Sequence, residues 1–299
     1  MAAVSGTPRK ALFLLALLTL LWGTNWSLFR VALAEMSVWS FRVFVVAIAS
    51  GGLFAAVRLR GESLRVPPGR WGPLLIASMC NLTIWNMATA LAVVHLPSGQ
   101  SSVLAYSMPL WLAALSTMFL GQRFTPRLLA ALALGVAAVA LLMAPNFGVY
   151  AGAPAGLAAG LGAGLAWAVG TIVVKRTDWG GMGLSLTAWQ MLLCLPPIVA
   201  GFLVFDGAWP RPGLGAIAVS IYIALIPMSI GTATWFAIVG LLPAQVAGLS
   251  SVSVPIVAMV SGAIAFGEPL GPAQLAALAC SALSLWLALT PPRAAAAKG

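Results

Sequence analysis

The sequence predicts an all-α membrane protein of ten transmembrane helices, arranged as two inverted repeats of five. Three observations lead there. Charged residues make up 7% of the 299 positions, and Ala, Val, Ile, Leu, Met, Phe, Trp, Tyr and Cys together 62%. That is too little charge to cover a soluble surface of this size, so the surface faces lipid. Second, a set of helix-punctuating residues occurs twice: Pro97, Pro109, Gly121 and Pro126 return as Pro243, Pro255, Gly267 and Pro272, each 146 positions on. Such a shared register in an apolar background marks an internal duplication of membrane helices. Third, Lys and Arg gather in alternate loops.

Ten apolar stretches of about 17–24 residues are separable, each long enough to cross roughly 30 Å of hydrocarbon. They fall at 11–33, 38–57, 71–91, 98–120, 128–144, 156–174, 184–205, 213–236, 244–266 and 273–290. Arg9 and Lys10 precede the first, but no small-x-small cleavage site follows it, so it reads as a retained span. The fourth lies between Pro97 and Gly121 and the ninth between Pro243 and Gly267, with Pro109 and Pro255 inside them. Pro126 and Pro272 precede the fifth and tenth. The remaining boundaries are short loops with Gly, Pro and charge. An outer-membrane barrel is excluded, because its strands would alternate polar and apolar residues.

Arg9, Lys10, Arg58, Arg60, Arg65, Arg70, Arg123, Arg127, Lys175, Arg176, Arg293 and Lys298 fall on one side of this bundle. Arg211 alone falls on the other, and Arg30 and Arg42 lie within spans. The bias places both termini in the cytoplasm. It also accounts for the net charge of +10 without nucleic acid. The chain reads as one membrane domain, 1–299, with repeats at 11–144 and 156–290 and a disordered tail at 291–299. Five spans per repeat is an odd number, so the second repeat enters from the opposite side. A weaker echo agrees: Trp22 and Arg30 correspond to Trp167 and Lys175, each pair eight residues apart.

In an inverted-repeat protein a solute site is expected near the midplane, among polar and aromatic residues deep in apolar spans. Span one offers Trp22 and Asn25, and span three offers Asn81, Trp85 and Thr89 at helical spacing, with Asn86 beside them. Span four offers Ser102 and Tyr106, span six Trp167 and Thr171, and span eight Trp235. Each has a plainer reading: tryptophans pack or anchor, and Asn and Thr join helices. Arg42 either reaches to the interface or binds a substrate carboxylate. Pro109 and Pro255 are fixed kinks or paired hinges. Gly156, Gly160 and Gly164 form a ladder for close helix packing.

Glu35, Glu62, Asp178, Asp206 and Glu268 all fall in loops or at span ends, so simple proton exchange has no deep acid to use. His95 sits in a short connection, and Cys80, Cys194 and Cys280 stand alone in apolar runs. No metal or other cofactor is expected, and an intramembrane enzyme would lack its nucleophile and base.

Leu21-Trp22-Gly23-Thr24-Asn25, Phe41-Arg42, Pro109 with Leu120-Gly121-Gln122-Arg123-Phe124, and Pro255 with Phe266-Gly267-Glu268-Pro269-Leu270 together resemble the EamA-type drug/metabolite transporter superfamily. Within it the chain looks most like amino-acid and metabolite exporters, including the YddG-like exporters of aromatic amino acids. The resemblance implies a multi-pass protein of a bacterial-type inner membrane. It would export small organic solutes, most of all aromatic or hydrophobic amino acids, by alternating access through a central cavity between the repeats. Other metabolites or drugs are the alternative cargo. Its partners would be the substrate and the lipid bilayer, with a monomer favoured. Gln122 departs from the family pattern, which has Glu there; Glu268 keeps it.

Overall fold

The computed structural model describes residues 9–96, 98–267 and 271–289. The expected tail at 291–299, Pro97 and Glu268 lie outside them. The described residues are helical throughout, joined by short turns, and contain no strand. The helices are α1 (Arg9–Leu33), α2 (Val38–Leu59), α3 (Trp71–Ser78), α4 (Trp85–His95), α5 (Ser98–Ala105), α6 (Met108–Leu120), α7 (Pro126–Met143) and α8 (Phe147–Gly152). They continue as α9 (Pro154–Arg176), α10 (Leu184–Phe205), α11 (Leu214–Ile223), α12 (Thr232–Leu241), α13 (Ala244–Ser250), α14 (Val254–Phe266) and α15 (Pro272–Leu289). Eight helical stretches among the described residues are long and apolar enough to cross a membrane. The other two expected spans, 11–33 and 244–266, are also helical, as α1 and as α13 with α14.

Local chemistry sets the ends. Thr125 accepts the amide of Leu128 at 3.2 Å and so caps α7, and Ser37 accepts that of Ser40 at 3.0 Å at the start of α2. Gly121 and Gly267 end α6 and α14 with φ of 63° and 64°, a left-handed turn that an L side chain resists. Pro126 and Pro272 then open the next helices, where a missing amide proton costs nothing.

Pro109 and Pro255 are each the second residue of the helix that follows a break. A proline cannot donate to the carbonyl four residues back. Accordingly α5 stops at Ala105, and the Ser107 amide turns to Leu104 at 3.0 Å. At the equivalent place α13 gives way to a tight turn over Ser251–Ser253. The ring of Pro255 lies outside the described side chains. Two wider turns also match: α3 and α4 are joined by π-helix over Met79–Ile84, and α11 and α12 by π-helix over Ala224–Gly231. Adding 146 to the first range gives 225–230, within the second.

The first long helix of each half packs against the other half. α1 lies on α11, α12 and α14, whereas α9 lies on α3, α4, α5 and α6. α2 pairs with α10 and α7 with α15 across the halves. Small residues allow the close approaches. A Cβ on Gly160 would stand 2.6 Å from Leu104 Cβ, and one on Gly164 would stand 2.9 Å from the Ala105 carbonyl oxygen. The glycine ladder of α9 thus seats the broken helix α5–α6. Two interlocked bundles result, α3–α6 with α9 and α11–α14 with α1.

Candidate functional site

Four tryptophans meet where the two bundles touch. Trp85 of α4 and Trp167 of α9 have ring centroids 4.8 Å apart, and Trp22 of α1 and Trp235 of α12 stack at 5.9 Å. Trp167 joins the pairs, 5.6 Å from Trp22 and 6.0 Å from Trp235. Tyr106, at the break between α5 and α6, stands 6.5 Å from Trp85. Each bundle contributes two indoles, so movement of one bundle against the other must rearrange this cluster. Trp235 and Trp167 are buried, at 0% and 4% exposure, whereas Trp22 and Trp85 keep a partly open face.

Hydrogen bonding within the cluster is incomplete. Trp22 Nε1 donates to the Pro227 carbonyl at 3.1 Å, inside the second π-helical section. Gly231 makes room for it, since a Cβ there would lie 2.6 Å from the same nitrogen. The indole nitrogens of Trp167 and Trp235 are buried with no hydrogen-bond partner, as is Oδ1 of Asn25, one turn along α1 from Trp22. Buried polar groups are normally paired, so these two donors and one acceptor suit a polar solute or water.

Arg42 reaches toward the same region from α2. Its Nη2 donates to Thr89 Oγ1 at 3.2 Å, and Thr89 donates to the Trp85 carbonyl at 2.7 Å. Its guanidinium carbon lies 5.9 Å from the Phe29 ring centre. Nε is buried without a partner, and no ion pair to Arg42 occurs among the described residues. The side chain therefore turns inward, onto α4, instead of reaching along α2 to the interface.

Other expected residues make hydrogen bonds outside the ring cluster. Asn81 Nδ2 donates to Gln190 Oε1 of α10 at 3.3 Å, and Asn86 Nδ2 donates to the Leu82 carbonyl at 2.6 Å and faces Cys194. Both amides fill the seam with α10, where their Oδ1 atoms and Gln190 Nε2 are likewise buried without a hydrogen-bond partner. Thr171 donates to the Trp167 carbonyl of its own helix at 2.9 Å. Ser102 is half-buried on α5. Gln190 went unread in the sequence, although it is the lone amide side chain within 184–205. The described acids stay at helix ends: Glu35 accepts the Gly213 amide, Asp206 the Ser40 amide and the Ser37 hydroxyl, and Asp178 the Gly180 amide. Glu62 pairs with Arg60 at 3.5 Å.

One end of the bundle carries Arg58, Arg60, Arg65, Arg70, Arg123, Lys175 and Arg176: the 62–68 turn lies against 180–182, Lys175 meets Leu242, and Gln122 beside Arg123 meets Gln245. At this basic end α13 packs on α6, and a Cβ on Gly248 would lie 3.4 Å from Leu112 Cβ. Gln245 Nε2 donates to Thr117 Oγ1 at 3.2 Å, and the Gln245 amide to Gln122 Oε1 at 3.4 Å. Lys175 Nζ donates to the carbonyls of Val239 and Leu242, at 2.6 and 2.9 Å. Among the described residues the repeat-equivalent pair at the other end, α5 with α14, makes no comparable packing.

A helical protein with matching halves and an aromatic seam between two bundles has the architecture of many membrane transporters. The model of the EamA-like transporter family matches residues 9–144 and again 154–290, and the chain belongs to that family. It is 28% identical over 293 residues to YvbV, an uncharacterized transporter of Bacillus subtilis, covering 96% of this chain and 93% of that protein. It is 24% identical over 287 residues to a probable amino-acid metabolite efflux pump of Salmonella typhimurium, covering 90% and 91% of the two chains. A probable terminal-alkyne amino-acid exporter of Streptantibioticus cattleyicolor is 25% identical over 267 residues, covering 87% and 86%. One solved crystal structure superposes with a TM-score of 0.74 at 20% identity, covering 93% of this chain and 96% of that one, a likeness of fold.

Proposed function

We propose that this transporter exports small organic solutes, amino acids with aromatic or other apolar side chains foremost, across a bacterial inner membrane. It does so by alternating access between two inverted repeats, 11–144 and 156–290, of five spans each, with both termini cytoplasmic. The observation that carries the reading is the tryptophan cluster, built half from each bundle and flanked by an arginine with no acid partner among the described residues. Flat rings receive an apolar or aromatic side chain, and the guanidinium of Arg42 receives a carboxylate. Trp22, Asn25, Trp85, Thr89, Tyr106, Trp167 and Trp235 surround the solute, with Ser102 on the approach along α5. Asn81 and Thr171 support the helices that carry the rings. The names given to the Salmonella and Streptantibioticus relatives favour amino-acid cargo.

The packed basic end and the looser opposite end suit a carrier closed to the cytoplasm and open outside. The breaks at Pro109 and Pro255 are the hinges about which α5–α6 and α13–α14 exchange these roles. With the described acids held at helix ends, the solute gradient itself drives the exchange. The protein works as a monomer and needs no cofactor.

The test is counterflow in proteoliposomes with labelled amino acids and hydrophobic cations, run without proton or sodium gradients. Aromatic and large apolar amino acids are expected to exchange fastest. Exchange of the cations alone would make it a drug exporter, and a strict need for an ion gradient would remove the facilitator mechanism. In the same vesicles a cysteine replacing Arg65 should react with impermeant reagent from the cytoplasmic side, and one replacing Arg211 from outside. The reverse pattern would invert the topology.

A further inference from the structure

We infer that Gln122 and Gln245, backed by Thr117 and Lys175, form a polar lock that holds the basic end shut and biases the empty carrier toward the opposite opening. The meaning of that opening rests on the alternating-access reading; the lock itself rests on separate observations.

The first amides of a helix have no acceptor within it. Gln245 is the second residue of α13, and its amide finds Gln122 Oε1 of the other bundle at 3.4 Å. Gln122 comes to this place because Gly121 ends α6 in a left-handed turn, φ 63°. The Gln245 side chain, 4% exposed, returns a second bond to Thr117 Oγ1 on the last turn of α6. Beside them Lys175, at the last turn of α9, donates to two carbonyls at the end of α12. Those carbonyls have no helical partner, and the negative end of the helix dipole favours the ammonium. α6 and α9 belong to one bundle, α12 and α13 to the other. Every one of these bonds therefore crosses the cleft and must break if the basic end opens.

The repeat shows why the lock is one-sided. Shifted by 146 positions, Gln245 corresponds to Gly99 and Thr117 to Ala263. Neither has a polar side-chain atom, so the Gln245–Thr117 bond has no counterpart at the other end. Opening the basic end loses this side-chain bond, which closing the opposite end cannot regain, so the bond favours the closed basic end in the two-state equilibrium. Gln122 also closes the lock with a neutral amide, where the second repeat has Glu268 at the equivalent position. A carboxylate at residue 122 would hold the Gln245 amide more firmly, through a charge-assisted bond.

The experiment reads opening directly, without solute. Cys80, Cys194 and Cys280 are replaced by Ala, and Leu112→Cys is introduced as a reporter; Leu112 is fully buried beside Gly248. Its reaction with an impermeant maleimide added from the basic side is timed. Gln245→Ala and Gln122→Ala are each expected to speed labelling about tenfold, the weight of one or two net hydrogen bonds. Gln122→Glu should slow it below the reporter alone. That opposite sign separates a lock from a merely loosened fold, and a thermal melt of each variant checks the fold independently. Labelling unchanged in Gln122→Ala, Gln245→Ala and their combination would overturn the lock. So would faster labelling in Gln122→Glu. Predicted labelling changes in a protein that moves no amino acid in counterflow would uphold the lock and defeat the cargo reading.

Discussion

Trp167→Ala is expected to stop transport and to lower stability together, and Trp167→Phe to separate the two. The Trp167 ring lies within 6.0 Å, centroid to centroid, of three other indoles from both bundles and is 4% exposed. Truncating so large a buried aromatic typically costs about 3–5 kcal/mol through lost contact and the cavity left behind. The alanine variant should therefore melt earlier in detergent as well as fail in counterflow. Phenylalanine refills most of the space but removes the buried indole N–H, which has no hydrogen-bond partner. It should keep a near-normal melt and lose roughly tenfold in counterflow rate, the worth of one hydrogen bond to solute. Wild-type rates in Trp167→Phe would remove the indole nitrogen from the site.

Arg42→Leu carries the second large effect. A charge-assisted bond to a carboxylate is worth about 1.5–3 kcal/mol, so the half-saturating concentration of an amino acid should rise roughly 10- to 150-fold. Amidated amino acids, which lack the carboxylate, should be moved equally by wild type and variant. Arg42→Lys should recover part of the loss, since lysine offers charge but not the planar fork. If Arg42 serves only to join α2 to α4 through Thr89, all substrates will suffer alike, and the carboxylate role falls.

Much of the fold could be read because its helix ends are written in proline and glycine. Gly121 and Gly267, Pro126 and Pro272 act through backbone geometry that no distant contact needs to supply. The π-helical section at Met79–Ile84 could not be read in that way. It contains no breaker, and its backbone path is bound up with packing on α9 and α10; its counterpart at least contains Pro227.

The tryptophans stood out as large polar-tipped rings in apolar spans, yet their convergence depends on how α1 and α9 exchange bundles. The polar candidates were harder, because the direction of an amide is decided by its neighbour. Asn81 turns to Gln190 and Thr171 to its own helix. The lock joins residues 123 and 128 positions apart, and Lys175 reads from sequence as a mark of topology and of the repeat, not as a bond to α12.

The central claim is that solute crosses because the two ends of the bundle open in turn, and a reversible staple tests it most directly. A Cβ at Gly248 lies 3.4 Å from that of Leu112, close to the spacing a disulfide takes up. Leu112→Cys with Gly248→Cys, in a protein without its three native cysteines, can be oxidised to tie α6 to α13. The account predicts that the oxidised protein still binds labelled amino acid from the open side but shows no counterflow, and that reduction restores the rate. Counterflow at the reduced rate while the staple is closed would contradict it.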